Sequence, residues 1–259
     1  MSSVGILVTA RMRSERCPGK AVALLGGRPL IQVLLERLGR ARTAPVVLAT
    51  SVDAENDRLE ELATEIGVPT FRGDENDVLK RHVDCARQFS LDHVVRVTGD
   101  NPLTDVETID RLVDIHLADA ADYTYIPGDA LLMGILSEVI SRTALEDSWE
   151  RGEERHRSEL VTLFIKEHPA DFRIRTTALD PALYRPELRL TVDEAEDVEL
   201  MQRLFERLPK GEVTTRAAIE LLEADPELPR INAHLRHRAA NLRSVALDAG
   251  IAEQKAETS

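Results

Sequence analysis

The chain has 259 residues, enough to bury a substantial core, and a formal net charge of -13 from 46 acidic against 33 Lys and Arg side chains. That balance excludes nucleic acid as the main partner, because affinity for a phosphate backbone comes from broad basic surfaces, and the scarcity of aromatics excludes base-stacking platforms. Cys17 and Cys85 lie too far apart for a metal-type pair or a disulfide framework, and no apolar run can span a bilayer, so a soluble cytoplasmic protein is expected.

Val4–Thr9 reads as a buried strand that opens directly into Ala10-Arg11-Met12-Arg13-Ser14-Glu15-Arg16-Cys17-Pro18-Gly19-Lys20. Four cationic side chains clustered in an acidic protein call for a local reason. A bound polyphosphate supplies one, since charge-assisted hydrogen bonds from Arg and Lys are strong. The alternative is a solvated basic loop.

Pro29 suits a first helical turn, and Leu30, Ile31, Val33, Leu34 and Leu38 fall largely on one face. Val46–Thr50 is a second buried strand, and Asp57–Ile66 a helix stopped by Gly67. Val78, Leu79, Val83, Ala86 and Phe89 mark another helix before the strand His93–Thr98, and a further helix spans Val106–Leu117. Continuous apolar strands between amphipathic helices predict an α/β fold, a mostly parallel, doubly wound sheet covered on both faces. In such sheets ligands bind beyond the carboxyl ends of the strands, where the basic loop sits.

The pattern changes after Asp119. Short strands within 122–140, a charged helical stretch Trp149–Lys166 and a strand Phe172–Thr176 read as an inserted, smaller mixed-sheet subdomain. It would cover the acceptor side or form a dimer contact. Glu187–Val192 is expected to return to the main sheet, Glu194–Leu208 and Thr215–Glu223 to be helices, and Ile231–Ala240 a last helix. The expected division is an α/β domain of residues 1–120 and 186–240, an insertion of 121–185, and a loose tail of 241–259.

Asp100 and Asp193 each follow an expected strand and should emerge on the edge that carries the basic loop. Two carboxylates beside a polyphosphate fit magnesium, which takes one or two carboxylates plus substrate oxygens. Local roles compete: Asp100 suits a turn in Asp-Asn-Pro, and Asp193 with Glu196 spells a capping box.

Together these segments resemble the cytidylyltransferases that make CMP-activated sugar acids, closest to the branch named for spore-coat polysaccharide biosynthesis protein F. The motifs are Ala10-Arg11-Met12-x-Ser14-x-Arg16-x-Pro18-Gly19-Lys20, Gly27-x-Pro29-Leu30, Ala49-Thr50-Ser51 and Phe71-Arg72-Gly73-x-Glu75-Asn76-Asp77-Val78-Leu79. Arg96-Val97-Thr98-Gly99-Asp100-x-Pro102-Leu103 and Leu190-Thr191-Val192-Asp193-x-x-x-Asp197 complete them. The resemblance implies a nucleotide-diphospho-sugar transferase-like fold and Mg-dependent transfer of CMP from CTP to a small anionic acceptor, with pyrophosphate released. It implies that Arg11, Ser14, Arg16 and Lys20 hold the triphosphate. Ala10 amides, Thr50, Gly73, Asn76 and Asp77 would surround base and ribose, and Asp100 and Asp193 would carry Mg2+. Arg11, Lys20 and Asp100 are the expected catalytic residues, and a homodimer is the expected assembly.

Departures concentrate on the acceptor side. Leu136 stands where relatives carry an acidic residue, with Glu138 retained, and Leu160 replaces a His. Glu138, Arg155 and His156 are the candidate acceptor contacts, against a solvated mixed-charge helix face for the last two. His234 and His237 lack the Glu and third ligand of a zinc helix, and Cys17 has no base placed with it. Transfer from another nucleotide such as GTP, and a non-catalytic nucleotide binder, remain open alternatives.

Overall fold

In the computed structural model, which describes residues 2–43, 45–127, 133–209 and 213–235, the first apolar run forms β1 (Val4–Thr9) inside a seven-stranded sheet. A two-stranded hairpin, β2 (Leu24–Leu25) and β3 (Arg28–Pro29), leads into α1 (Leu30–Leu38). Then come β4 (Val46–Ser51), α2 (Asp57–Glu65), β5 (Thr70–Gly73), α3 (Val78–Gln88), β6 (His93–Thr98) and α4 (Val106–Ala118). β7 (Tyr123–Tyr125), β8 (Glu138–Ser141), α5 (Arg142–Arg151), α6 (Leu163–Glu167) and β9 (Ile174–Thr176) follow. The last elements are α7 (Ala195–Arg207), α8 (Thr215–Ala224) and α9 (Glu227–Arg230).

The sheet order is β5-β4-β1-β6-β8-β7-β9. β5, β4, β1 and β6 run parallel, β8 is antiparallel to both β6 and β7, and β7 is parallel to β9. Each face buries its own core. Ile6, Val8, Leu34, Val97, Leu112 and Leu204 pack on one side. Leu7, Val47, Leu79, Val94, Ile140 and Ile165 pack on the other. Strands buried on both faces read as unbroken apolar runs, which is why the sequence exposes them so clearly. Truncating one such leucine to Ala costs about 2–5 kcal/mol.

Register matters more for function. Thr9 lies opposite Ala49 on one side and Thr98 on the other, so β4, β1 and β6 deliver their following loops to one rim. Gly99 permits this approach: a Cβ there would lie 2.6 Å from the Ala10 Cβ and 2.9 Å from the Thr9 carbonyl.

The structure departs from the sequence reading at several elements. β5 was not expected, because this edge strand buries only Phe71 of its four residues and carries no repeating pattern. Trp149–Lys166 is not one helix: α5 starts at Arg142 and ends at an extended Gly152, a 3-10 turn spans Glu154–Arg157, and α6 follows. Among the described residues Glu187–Val192 forms no strand and makes one isolated bridge, Met133 with Arg189. The strands of 121–185 hydrogen-bond into the main sheet, with the mixed orientation expected of them. Of the expected last helix the described residues show a 3-10 turn at Ala233–Leu235; its remainder, His237 and the 241–259 tail lie outside them. Among the described residues no helix is long and apolar enough to cross a membrane.

Candidate active site

The basic loop is braced from below. Thr50, fully buried in β4, donates to the Ala10 carbonyl at 2.8 Å. The Met12 amide donates to Asn56 Oδ1 at 2.8 Å, and Asn56 Nδ2 in turn holds Ser51 Oγ at 2.7 Å. Thr50 was expected beside the base, but its hydroxyl is committed to the loop backbone. Asn56, which no motif flagged, is a second brace. Ser14 Oγ accepts from the Cys17 amide at 3.3 Å and shapes the turn. Arg11, Arg13 and Arg16 project outward, all more than half exposed.

Lys20 behaves differently. Its side chain is 16% exposed and its Nζ donates to Asp100 Oδ2 at 3.1 Å, Asp193 Oδ1 at 2.9 Å and the Val192 carbonyl at 2.7 Å. All three ammonium protons are thereby used. Burial pulls the Lys20 pKa down, but the Asp100 and Asp193 carboxylates outweigh it and leave it raised. For Asp193 burial pushes upward, and Lys20, Arg16 and Arg189 prevail, so its pKa is lowered. Arg16 Nη2 lies 3.2 Å from the same Asp193 oxygen.

Asp193 reaches this point without the strand that was expected to carry it. The Val192 amide donates to the Asp100 carbonyl at 2.8 Å, and the Leu190 amide to the Met133 carbonyl at 2.8 Å. These bonds lay residues 188–193 over the sheet end. Gly134 lets that segment pass: at φ +95° it occupies the left-handed region, and a Cβ would lie 2.3 Å from the Leu190 carbonyl carbon and the Thr191 nitrogen. Nor does Asp193 cap the helix. Glu194 is the N-cap of α7, in a box with Asp197 one residue later than the sequence spelled. The Asp193 carboxylate therefore stays on the rim.

Two oxygen donors meeting on one cation suit magnesium, a hard ion that accepts carboxylates alongside substrate oxygens. Among the described residues no group of three or more His, Cys, Asp or Glu forms a metal cage. A metal here would therefore complete its shell with phosphate oxygens and water.

Gly73 closes β5 and its carbonyl accepts from the Val52 amide at 3.0 Å. The Asn76 and Asp77 amides both donate to Asp74 Oδ1, at 2.8 and 2.9 Å. Asp77 caps α3 through the Lys80 amide at 2.8 Å and accepts from Trp149 Nε1 at 2.9 Å. Both its oxygens are thus engaged within the protein.

A second charged cluster sits where β6 meets β8. Glu138 pairs with Arg96 at 3.2 Å and Lys166 at 3.1 Å, and accepts from the Tyr123 hydroxyl. Burial works against its charge, yet Lys166 and Arg96 hold its pKa down at about 2. Arg96 Nη2 also donates to the Glu159 carbonyl at 2.9 Å. The expected companions of Glu138 are turned to other work. His156 is buried, with Nδ1 accepting from the Glu153 amide and Nε2 at 2.8 Å from Glu167 Oε2. Arg155 pairs with Glu167 and Glu153. These contacts tie the 3-10 turn to α6; His156 is buried in them, whereas Arg155 stays 55% exposed. Leu136 packs against the main core, whereas Leu160 is 52% exposed. His234 is exposed, 3.6 Å from Glu196. Cys17 has its pKa raised by burial, contrary to what a nucleophile needs.

Comparison with known proteins bears on this geometry. A family model described as Cytidylyltransferase matches residues 5–224. An uncharacterized protein of Methanocaldococcus jannaschii is 34% identical over 240 residues, 92% of this chain and 98% of its own. The spore coat polysaccharide biosynthesis protein SpsF of Bacillus subtilis is 33% identical over 234 residues, covering 88% and 97% of the two chains. The solved structure of a cytidylyltransferase from Leptospira borgpetersenii superposes with a TM-score of 0.83 at 28% identity, over 88% of this chain and 97% of that one.

Proposed function

The chain belongs to the cytidylyltransferase family and is a nucleotidyltransferase, and from that premise we propose that it moves CMP from CTP to a small anionic acceptor. One observation carries the reading: Asp100 and Asp193 converge on a single cation at the mouth of an arginine-rich loop. An acceptor oxygen attacks the α-phosphorus of CTP, the bond to the β-phosphate oxygen breaks, and pyrophosphate leaves with its electron pair. The proton of the acceptor group passes to solvent.

The protein contributes position and charge rather than covalent chemistry. The exposed Arg11, Arg13 and Arg16 gather the triphosphate, and Lys20 and Arg16 neutralise charge growing on pyrophosphate. Asp100 and Asp193 would hold magnesium, which when bound polarises the phosphoryl oxygens. The braces from Thr50 and Asn56 keep the loop amides in place for the nucleotide.

Residues 121–185 supply the acceptor side. Arg96 and Lys166 bring two positive charges against one on Glu138, and that excess favours an anion. Leu160 adds an exposed apolar neighbour, which suits an acceptor less polar than a common nonulosonic acid. A dimer through this segment follows from the family resemblance, and light scattering tests it.

The defining experiment records thermal shifts with each nucleoside triphosphate, with and without Mg2+, then pyrophosphate release with acidic sugars and phosphate or phosphonate acceptors. Selective Mg-dependent stabilisation by CTP, followed by release with one acceptor class, is the expected result. Preference for another base would reassign the donor.

A further inference from the structure

Asp193 must present one carboxylate edge to the rim, and something has to set its angle. Behind it lies a buried network. Asp197 is fully buried and accepts from Arg189 Nε and Nη2, both at 2.8 Å, from the Asp193 amide at 2.9 Å and from the Glu194 amide at 3.0 Å. Its last donor is Asn232 Nδ2, at 2.8 Å from Oδ1. The same Nδ2 reaches the Arg189 carbonyl at 3.1 Å. Arg189 Nη2 then donates to Asp193 Oδ2 at 3.2 Å, leaving Oδ1 for Lys20 and Arg16.

The members are of unequal origin. Arg189 and Asp197 fall within the family match, which ends at residue 224; Asn232 lies beyond it. It follows α9, whose Leu228 is buried in the core that also contains Leu200, Met201 and Leu204 of α7. Asn232 itself is 2% exposed. A buried amide that touches both partners of an ion pair fixes their relative rotation, and here the pair grips the carboxylate at the rim.

We propose that Asn232 is a positioning residue: it locks the Arg189–Asp197 pair so that Asp193 aims one oxygen at the metal–triphosphate site. This rests on the proposed function, because it needs Asp193 to act toward that metal. Partners behind a metal-binding carboxylate typically matter by 10- to 100-fold.

The test compares Asn232→Ala with Leu228→Val, a control that loosens the same segment without touching the network. Mn2+ binding to the CTP-loaded protein is read by electron paramagnetic resonance, alongside kcat, KM for CTP and Tm. For Asn232→Ala we expect Mn2+ affinity and kcat to fall about tenfold, with KM for CTP nearly unchanged. Leu228→Val should lower Tm and leave Mn2+ affinity alone. If both variants lower Tm and neither moves Mn2+ affinity or kcat, Asn232 is only structural and the proposal is overturned. A wild-type protein that binds no Mn2+ with CTP would refute the reading of the rim itself, and this inference with it.

Discussion

At the rim, Arg11 and Arg16 stand more than half exposed, with carboxylate partners 3.8 and 3.2 Å away. Around Glu138 the pairing is already complete, since Arg96, Lys166 and Tyr123 all engage one carboxylate that is 18% exposed. The two clusters share a sheet edge and draw on the same residue types. Under the proposed function, the exposed arginines beside the Asp100–Asp193 pair would exchange their carboxylate partners for an incoming polyphosphate. A part-buried cluster whose charges already pair with one another holds its shape, and under the proposed function it would read an acceptor by fit and by its one excess positive charge. Charge composition alone does not separate the two clusters; the exposure of their arginines does, 53% and 54% for Arg11 and Arg16 against 19% for Arg96.

The sharpest way to break this contrast is at Asp100. If Asp100 serves the metal as proposed, Asp100→Ala should lower kcat by about 10³-fold while leaving Tm within a degree or two. Near-native turnover would remove it from the metal-binding pair. Glu138→Ala should act mainly on stability. Removing the carboxylate leaves part-buried Arg96 without its ion-pair partner beside the exposed Lys166, at about 1.5–3 kcal/mol of stability, seen as a fall in denaturation midpoint.

Acid titration sharpens the same point. The Glu138 pKa is lowered from 4.5 to about 2, so its contribution is complete above the unfolded value and is lost as pH falls from about 4.5 to 2. That window is worth ~3 kcal/mol in the wild type, and Glu138→Ala should flatten it. An unchanged acid limb in the variant would show that the cluster does not hold its charge.

Smaller effects probe how rim geometry is set. Gly134→Ala forces the 188–193 segment away from contacts at 2.3 Å; overpacking of this kind costs about 1–3 kcal/mol and should reduce kcat more than it raises KM. Thr50→Val removes one brace, worth ~1 kcal/mol, and should raise KM for CTP a few-fold. A larger effect of Thr50→Val on kcat than on KM would place its hydroxyl in the chemistry instead of under the loop.

Local pattern alone determined much of this molecule. β1, α1, β4, α2, α3, β6 and α4 follow from apolar runs and helical spacing, because strands buried on both faces and half-buried helices leave periodic traces. The basic loop and Asp100 were legible for the same reason: each follows a strand whose end must face the ligand edge of a parallel sheet. Tertiary structure decided the rest. Glu187–Val192 has a strand's composition but, among the described residues, pairs only with Met133 and Asp100, so Asp193 arrives by backbone bonds that no local pattern encodes. His156 looked available to a ligand, but folding buries it with both ring nitrogens on Glu153 and Glu167, while Arg155 stays exposed beside it. Asn232 carried no signal at all, since a single polar residue acquires meaning only when folding buries it against partners 35 and 43 positions away. Short-range sterics and hydrophobic period act within a few residues, whereas the satisfaction of buried charge is settled by whatever the whole chain brings together.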